Sequence, residues 1–448
     1  MNRISVFAII FTLFIPLGSY AQYASSSKTP KKAGDLIEST SYNDHKRGAP
    51  RMLQYLPSGE EFVCVNGKNR YTRALYGGHT AWRLETGDRP IFATYVKNDC
   101  RNIRFRLHLP DGTVTPLEET DWCEARYNPG TRTYALKDKA WGENCSLKVS
   151  VLASLTEEMA VWELSGELPA GCELEVLNSP IRRKKLSRSG DMGADPPGCF
   201  EPAEDGTVLQ TLKCRFPADG HLYVGISGNE LKEMRDGGVQ YLALQKACRE
   251  LAGRIRITTP DPYFNTLGGA LAVAADGIWG EEGVWLHGTV GWRMPLSGWR
   301  AAYVGDVLGW HDRARTHFDN YAASQVTEVP NTISHPAQDS ALALARSAKI
   351  WGTPQYSNGY ICRNPRRNNQ MHHYDMNLCY IDELLWHFNW TGDLEYARRM
   401  WPLLTLHLAW EKRNFDPDND GLYNAYACIW ASDALYYNSG AVYAQLCL

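Results

Sequence analysis

From about Met52 to Ile257, short apolar runs alternate with polar residues at a period of two. Glu61-Phe62-Val63-Cys64-Val65, Ile103 to Leu109, Leu147 to Leu152 and Met159 to Leu164 each put successive side chains on opposite faces of an extended chain. Asp111-Gly112, Pro129-Gly130 and Asp205-Gly206 provide turns between runs, so antiparallel strands in a β-sandwich are expected. A basic, Gly/Pro-rich stretch from Arg182 to Gly198 interrupts the pattern. Charge runs are usually solvated, so it is expected to be a solvated insertion rather than a contact with an acidic glycan. After Gly237-Gly238, residues Val239 to Leu251 change to a helical pattern and form a bridge.

Beyond Thr258-Thr259-Pro260-Asp261-Pro262 the alternation stops, and helices are expected over Tyr263 to Ile278, Trp299 to Ala323, Asp375 to Trp390, Leu394 to Lys412 and Trp430 to about Tyr443. In the third, Asn377, Ile381, Leu384, Leu385 and Phe388 share a mostly apolar side, while Asp375, Cys379, Asp382 and Trp386 line another. Thr391-Gly392-Asp393 is a stop and a fresh N-cap, and Pro402 should kink the fourth helix or restart it. The expected organisation is a signal peptide (1–21), a flexible lead-in (22–50), a β-sandwich (51–227), a linker-helix region (228–257) and a helical domain (258–448). Helices joined by long loops point to a toroid of helical hairpins with a site at one end.

Composition narrows the chemistry. Across 448 residues the formal net charge is -3, which lacks the basic footprint of a nucleic-acid binder. The chain holds 15 Trp and 24 Tyr, flat amphipathic rings on which sugars stack, although core packing accounts for most of them. Arg3, the apolar run Ile4 to Leu17 and Ser19-Tyr20-Ala21 fit an export signal, giving a periplasmic or secreted protein without a membrane span. The 12 cysteines are scattered with no CxxC, so buried thiols are expected, with bridges within residues 60–215 left open.

Glycoside hydrolysis needs one carboxyl that holds its proton and a second as base or nucleophile. Asp382-Glu383 lies in an apolar helix, where an acid is costly unless it has a use; adjacent positions diverge by about 100°, so only one can face a ligand. Trp430-Ala431-Ser432-Asp433, followed by Tyr436, Tyr437 and Asn438, offers an acid under aromatic cover, with an N-cap as the plain alternative. Trp292-Arg293 and Gly298-Trp299-Arg300, followed by Asp306, offer a stacking ring with a bidentate donor, or else an Asp306–Arg300 salt bridge. His372-His373-Tyr374-Asp375, with Asn377 beyond, lacks metal-ligand spacing and suits hydrogen bonds to sugar hydroxyls. Asp416, Asp418 and Asp420 with Gly421 match half of a calcium loop, but the twelfth position is Ala427, so an Asx-rich turn is preferred and no cofactor is assigned.

A sandwich, a linker helix and Thr259-Pro260-Asp261-Pro262 opening a helical domain, followed by Thr391-Gly392-Asp393, Trp401-Pro402 and Asp416-x-Asp418-x-Asp420-Gly421-Leu422, resemble the six-hairpin glycosidase superfamily. The run as a whole is similar to large exported glycosidase-like proteins of Bacteroidetes polysaccharide-utilisation systems. That resemblance implies an (α/α)6 barrel and an inverting glycoside hydrolase acting on a complex polysaccharide or its side chains. It implies Asp433 as the general acid, with Glu383 as rival. Trp299, Arg300, Asp306, His372, His373, Tyr374, Asp375, Asn377, Trp430 and Tyr437 would line the substrate. Twelve helices make a complete barrel and about five are expected here, so the barrel is expected to be partial, with the general base beyond the chain. A toroidal polysaccharide lyase, using Tyr374 with His372 or His373, and a noncatalytic glycan binder are the competing expectations.

Overall fold

The alternation between Leu56 and Glu233 folds into two antiparallel sheets in the computed structural model, which describes residues 55–191, 195–217, 219–327, 358–369, 375–416 and 419–421. Strands β1 (Leu56–Ser58) and β2 (Glu61–Val65) form a hairpin, and β3 (Arg73–Tyr76), β4 (Arg83–Thr86), β5 (Phe92–Tyr95) and β6 (Arg101–His108) run as a meander. The short β7 (Val114–Pro116) pairs with the far half of β6. A second meander follows in β8 (Trp122–Asn128), β9 (Thr131–Lys137), β10 (Ser146–Ala153) and β11 (Met159–Glu167). After it come β12 (Glu173–Pro180), β13 (Gln210–Arg215), β14 (His221–Ser227) and β15 (Glu230–Glu233). One sheet has the order β1-β2-β8-β9-β10-β11-β14-β15; the other is β13-β12-β6-β5-β4-β3, with β7 beside β6.

Inward residues of both sheets meet in one core, where the Phe92 ring stands edge-on to Phe105 (5.5 Å), Tyr134 (5.8 Å) and Trp162 (5.4 Å). Such pairs add to the area term that drives burial. Both faces of β11 are apolar for a reason: Trp162 points into the sandwich, while Val161 and Met159 pack outward with Leu152 against Tyr241 and Cys248 of helix α1 (Gly237–Ala252). The ten described cysteines are free thiols, nine of them buried.

The helical region contains α2 (Pro262–Asn265), α3 (Leu267–Gly277), α4 (Tyr303–Val307), α5 (His311–Ala322), α6 (Asp375–Thr391) and α7 (Leu394–Phe415), with a small ribbon of β16 (Trp279–Gly280) and β17 (Val284–Trp285). Asp261 caps α2 by accepting from Tyr263 N, with Pro262 in the first turn; Asp393 caps α7 by accepting from Tyr396 N. Three expected boundaries change. The helix expected over Tyr263 to Ile278 is two, broken at Thr266. That over Trp299 to Ala323 is also two: residues 299–302 are not helical, and Gly309 at φ 72° separates α4 from α5. Conversely, α7 runs through Pro402 with no restart, because Tyr396, Met400, Leu403 and Leu404 bury one face in the helical core. The outward faces of α6 and α7 leave Trp386, Trp390, Leu394, Trp401 and Leu408 exposed. None of the described helices is long and apolar enough to cross a membrane.

A polar joint ties the sandwich to the helices. The buried Asp276 of α3 lies 3.0 Å from His79 Nε2 in the loop after β3 and 2.7 Å from Arg313 Nη1 on α5. Arg293 donates to the carbonyls of Gly277, His79 and Trp279, and Tyr76 donates to Thr289 Oγ1 at 2.9 Å. Burial pushes the Asp276 carboxyl up, but His79 and Arg313 outweigh it and hold it below its ordinary 3.8.

Truncation at the ring cluster, Phe92→Ala, should cost about 3–5 kcal/mol in denaturant unfolding, as for other buried phenylalanines. The Asp276 contribution is present above the ordinary carboxyl value and is lost as pH falls through the lower folded value. Asp276→Asn should therefore lower the melting temperature near neutrality and shrink the difference from wild type in strong acid, measured by thermal unfolding across pH.

Candidate functional site

The helix α6 turns its buried face, with Tyr380, Ile381, Leu384 and His387, into the helical core, and Glu383 lies on that face at 1% exposure. Its neighbour Asp382 is exposed and accepts a hydrogen bond from the Tyr303 hydroxyl, so the two adjacent carboxyls separate as helix geometry demands. Glu383 Oε1 accepts from Ala302 N at 3.2 Å, and Oε2 is buried with no hydrogen-bond partner among the described residues. Burial pushes the Glu383 carboxyl up to about 8; the Ala302 N–H opposes this, Asp382 adds to it and Arg300 opposes it. At neutral pH this group holds its proton, which is the state a general acid requires.

The turn around Gly298 brings the Arg300 guanidinium into electrostatic reach of this acid, with Trp299 one residue before it. A side chain at Gly298 would stand 2.0 Å from Met376 O and 2.4 Å from Tyr380 N, so only glycine lets this backbone press onto α6. Two residues on, Arg300 adopts φ 63°, a left-handed conformation that a long side chain rarely takes and that often marks a functional turn. Trp299 stands edge-on to His287 (4.4 Å), and His287 is edge-on to Trp292 (5.1 Å). Arg188 of the β12–β13 insertion lies 3.8 Å over the 41%-exposed Trp292 ring.

The charged run of that insertion, Arg182 to Lys185, is exposed, as expected from its composition, while the rest of the loop is ordered by a buried carboxylate. The buried Asp195 accepts from the backbone N–H groups of Ser187 (2.8 Å), Arg188 (2.8 Å) and Gly190 (3.1 Å). Burial pushes its carboxyl up, and these backbone donors more than offset it, holding it below its ordinary value. Arg83, itself buried, donates to Ser189 O and so anchors the loop to the sandwich.

Other expected site residues take structural roles. Asp306 is 2% exposed and accepts from His387 Nδ1 (2.8 Å to Oδ1, 3.0 Å to Oδ2) and from His311 Nδ1 (2.8 Å). It therefore joins α4, α5 and α6 instead of binding hydroxyls or pairing with Arg300. Asn377, expected at the substrate, is fully buried: it accepts from Ile361 N at 2.7 Å and donates to Ile361 O at 2.9 Å, pinning that strand-like segment to α6. Asp375 is the first residue of α6. His372, His373, Tyr374, Trp430, Asp433 and Tyr437 lie outside the described residues, as do the export signal and Asp418. Asp416 is buried and accepts from Gly421 N at 3.3 Å, an Asx-type turn, while Asp420 is exposed. Among the described residues, no group of three His, Cys, Asp or Glu could hold a metal. Sequence reasoning missed His287, His387 and Arg188, because no spacing rule links them to Glu383 or Asp306.

The sequence pattern of a family described as a domain of unknown function (DUF4450) matches residues 100–209. Those residues run from the edge of β6 to the start of β13 and include the Arg188 insertion, so over this stretch the chain is similar to that family. No curated protein matches the chain. Glu383 lies outside the matched stretch.

A carboxyl whose folded value is raised keeps a proton that the unfolded chain releases, so its burial destabilises the fold increasingly as pH rises from 4.5 toward about 8. Glu383→Gln, which is neutral throughout, should flatten that decline. Melting temperatures across this range check it: equal slopes in both proteins would mean the carboxyl is not held protonated.

Proposed function

We propose that the protein is a glycoside hydrolase, acting by inversion on a complex polysaccharide or its side chains, with Glu383 as the general acid. The observation that carries this reading is the raised Glu383 carboxyl beside the Trp299–Arg300 turn. A protonated acid can pass its proton to the departing glycosidic oxygen, Trp299 and Trp292 give rings for sugar stacking, and Arg300 gives hydroxyl or carboxylate contacts. Inversion asks for a second carboxylate about 6.5–9.5 Å away, with water between. Asp433 is the sequence's other candidate for the pair. The helical region is read as part of an (α/α) toroid, and the protein as periplasmic or secreted.

A reducing-sugar screen across purified plant and host glycans tests the activity. On a responding glycan, Glu383→Gln should lower kcat roughly 10²–10⁴-fold, the usual contribution of a positioned acid. Wild-type kcat should fall as pH rises through about 8, since the acid form is lost there. Asp433→Asn, assayed alongside, tells whether Asp433 shares the chemistry. Full activity in Glu383→Gln would make Glu383 a structural neutral acid and sink its assignment, and an unsaturated ultraviolet-absorbing product would replace hydrolysis by elimination.

A further inference from the structure

A cavity lies where the C-terminal end of α1 meets two turns of the sandwich and the first helices of the helical region. Its volume is about 380 Å³, and it is lined by Glu60 after β1, Asn128-Pro129 at the β8–β9 turn, Arg249 in the last turn of α1, Arg256 beyond it, and Asn265 at the end of α2. A shallower depression shares Arg249, Gly253 and Arg256 and adds Lys246, so the two form one groove. The volume falls in the range that holds a small ligand.

Three arginines lie along this stretch, and they differ in one respect. Arg254 is engaged: it donates to Leu308 O at 2.8 Å and lies 5.2 Å over the Trp310 ring. Arg249 and Arg256 line the cavity, and among the described residues neither guanidinium has a hydrogen bond, ion pair or ring contact. Arg249 could be explained as a cation at the negative end of α1. Arg256 lies four residues past that end, where the helix dipole no longer explains it. Two guanidinium groups against the single carboxylate of Glu60 give the main cavity a net positive lining.

We propose that this groove binds an acidic saccharide, with Arg249 and Arg256 taking the carboxylate of a uronate residue. Guanidinium forks match the two oxygens of a carboxylate, and Glu60 accepts from sugar hydroxyls on the other wall. The carboxylate part of the ligand follows from the two arginines; its sugar part rests on the proposed hydrolase reading. The groove is separate from Glu383, none of its lining residues being among those around that acid.

The test is calorimetric titration of the full chain with an oligogalacturonate, with the same oligosaccharide reduced at its carboxylates to neutral galactose units, and with sodium sulfate. Saturable binding is expected for the oligogalacturonate, at least tenfold tighter than for the neutral form or sulfate. Arg249→Gln and Arg256→Gln, both at exposed positions, should each weaken it at least tenfold with unchanged melting temperatures. Glu383→Gln should leave it unchanged, so loss of hydrolysis and loss of this binding are observed separately. No binding, equal binding of the neutral form, full competition by sulfate, or unaltered affinity in both arginine variants would each overturn the proposal.

Discussion

One buried carboxylate, Asp276, holds two differently built halves of this chain in register. The sandwich is stabilised by apolar burial between sheets, and the helices by apolar burial between helix faces, but hydrophobic contact is non-directional and would tolerate sliding between the two layers. Hydrogen bonds to a charged group do not tolerate it. His79 approaches Asp276 from the sheet side and Arg313 from α5, while Arg293 binds the carbonyls of Gly277, His79 and Trp279 at the same joint. Arg293 follows directly on Trp292, the ring that meets Arg188 of the sandwich insertion, so this joint also fixes that contact.

The same need for polar order recurs one layer deeper. Asp306 receives two histidines and so ties α4 to α5 and α6, and Asn377 pins the segment at Ile361 to α6. With those elements fixed, Glu383 stays on the buried face of α6, and its Oε2 has no hydrogen-bond partner among the described residues. A buried acid in that position is stable only in its neutral form. A left-handed arginine and a proton-holding acid at one turn are costs that packing elsewhere must offset, and such costs concentrate where a protein does chemistry.

The β12–β13 insertion shows how the two halves share a surface. Its order comes from Asp195 and from Arg83, both buried in the sandwich half, yet its Arg188 ends on Trp292 of the helical half. The matched family stretch, residues 100–209, contains this insertion but stops well short of α6. The rings at Trp292 come from one local stretch, His287 to Trp299, while the cation over them, Arg188, comes from a segment about a hundred residues earlier, which no local motif could announce.

By itself, the sequence determined the local elements and the chemical inventory. Period-two alternation marked the strands, Gly and Pro pairs marked the turns, Asp393 marked a helix start and Thr258–Pro262 marked where strands give way to helices, because these signals depend only on neighbours along the chain. It also singled out Glu383, since an acid among apolar helix positions is anomalous before any fold is known. Tertiary structure alone decided which polar groups were already engaged. Asp306 and Asn377 look like ligands for sugar hydroxyls until His387, His311 and Ile361 are seen to use them, and the exposed basic run gives no sign that Asp195 orders the rest of its loop from inside. Helix breaks at Thr266 and Gly309, and continuity through Pro402, were likewise settled by packing, which outweighs propensities of about a kcal/mol per residue and, at Pro402, roughly 3. The physical reason is common to all of these: a hydrogen-bond partner distant in sequence leaves no trace in local spacing, yet it decides whether a polar side chain is available for chemistry.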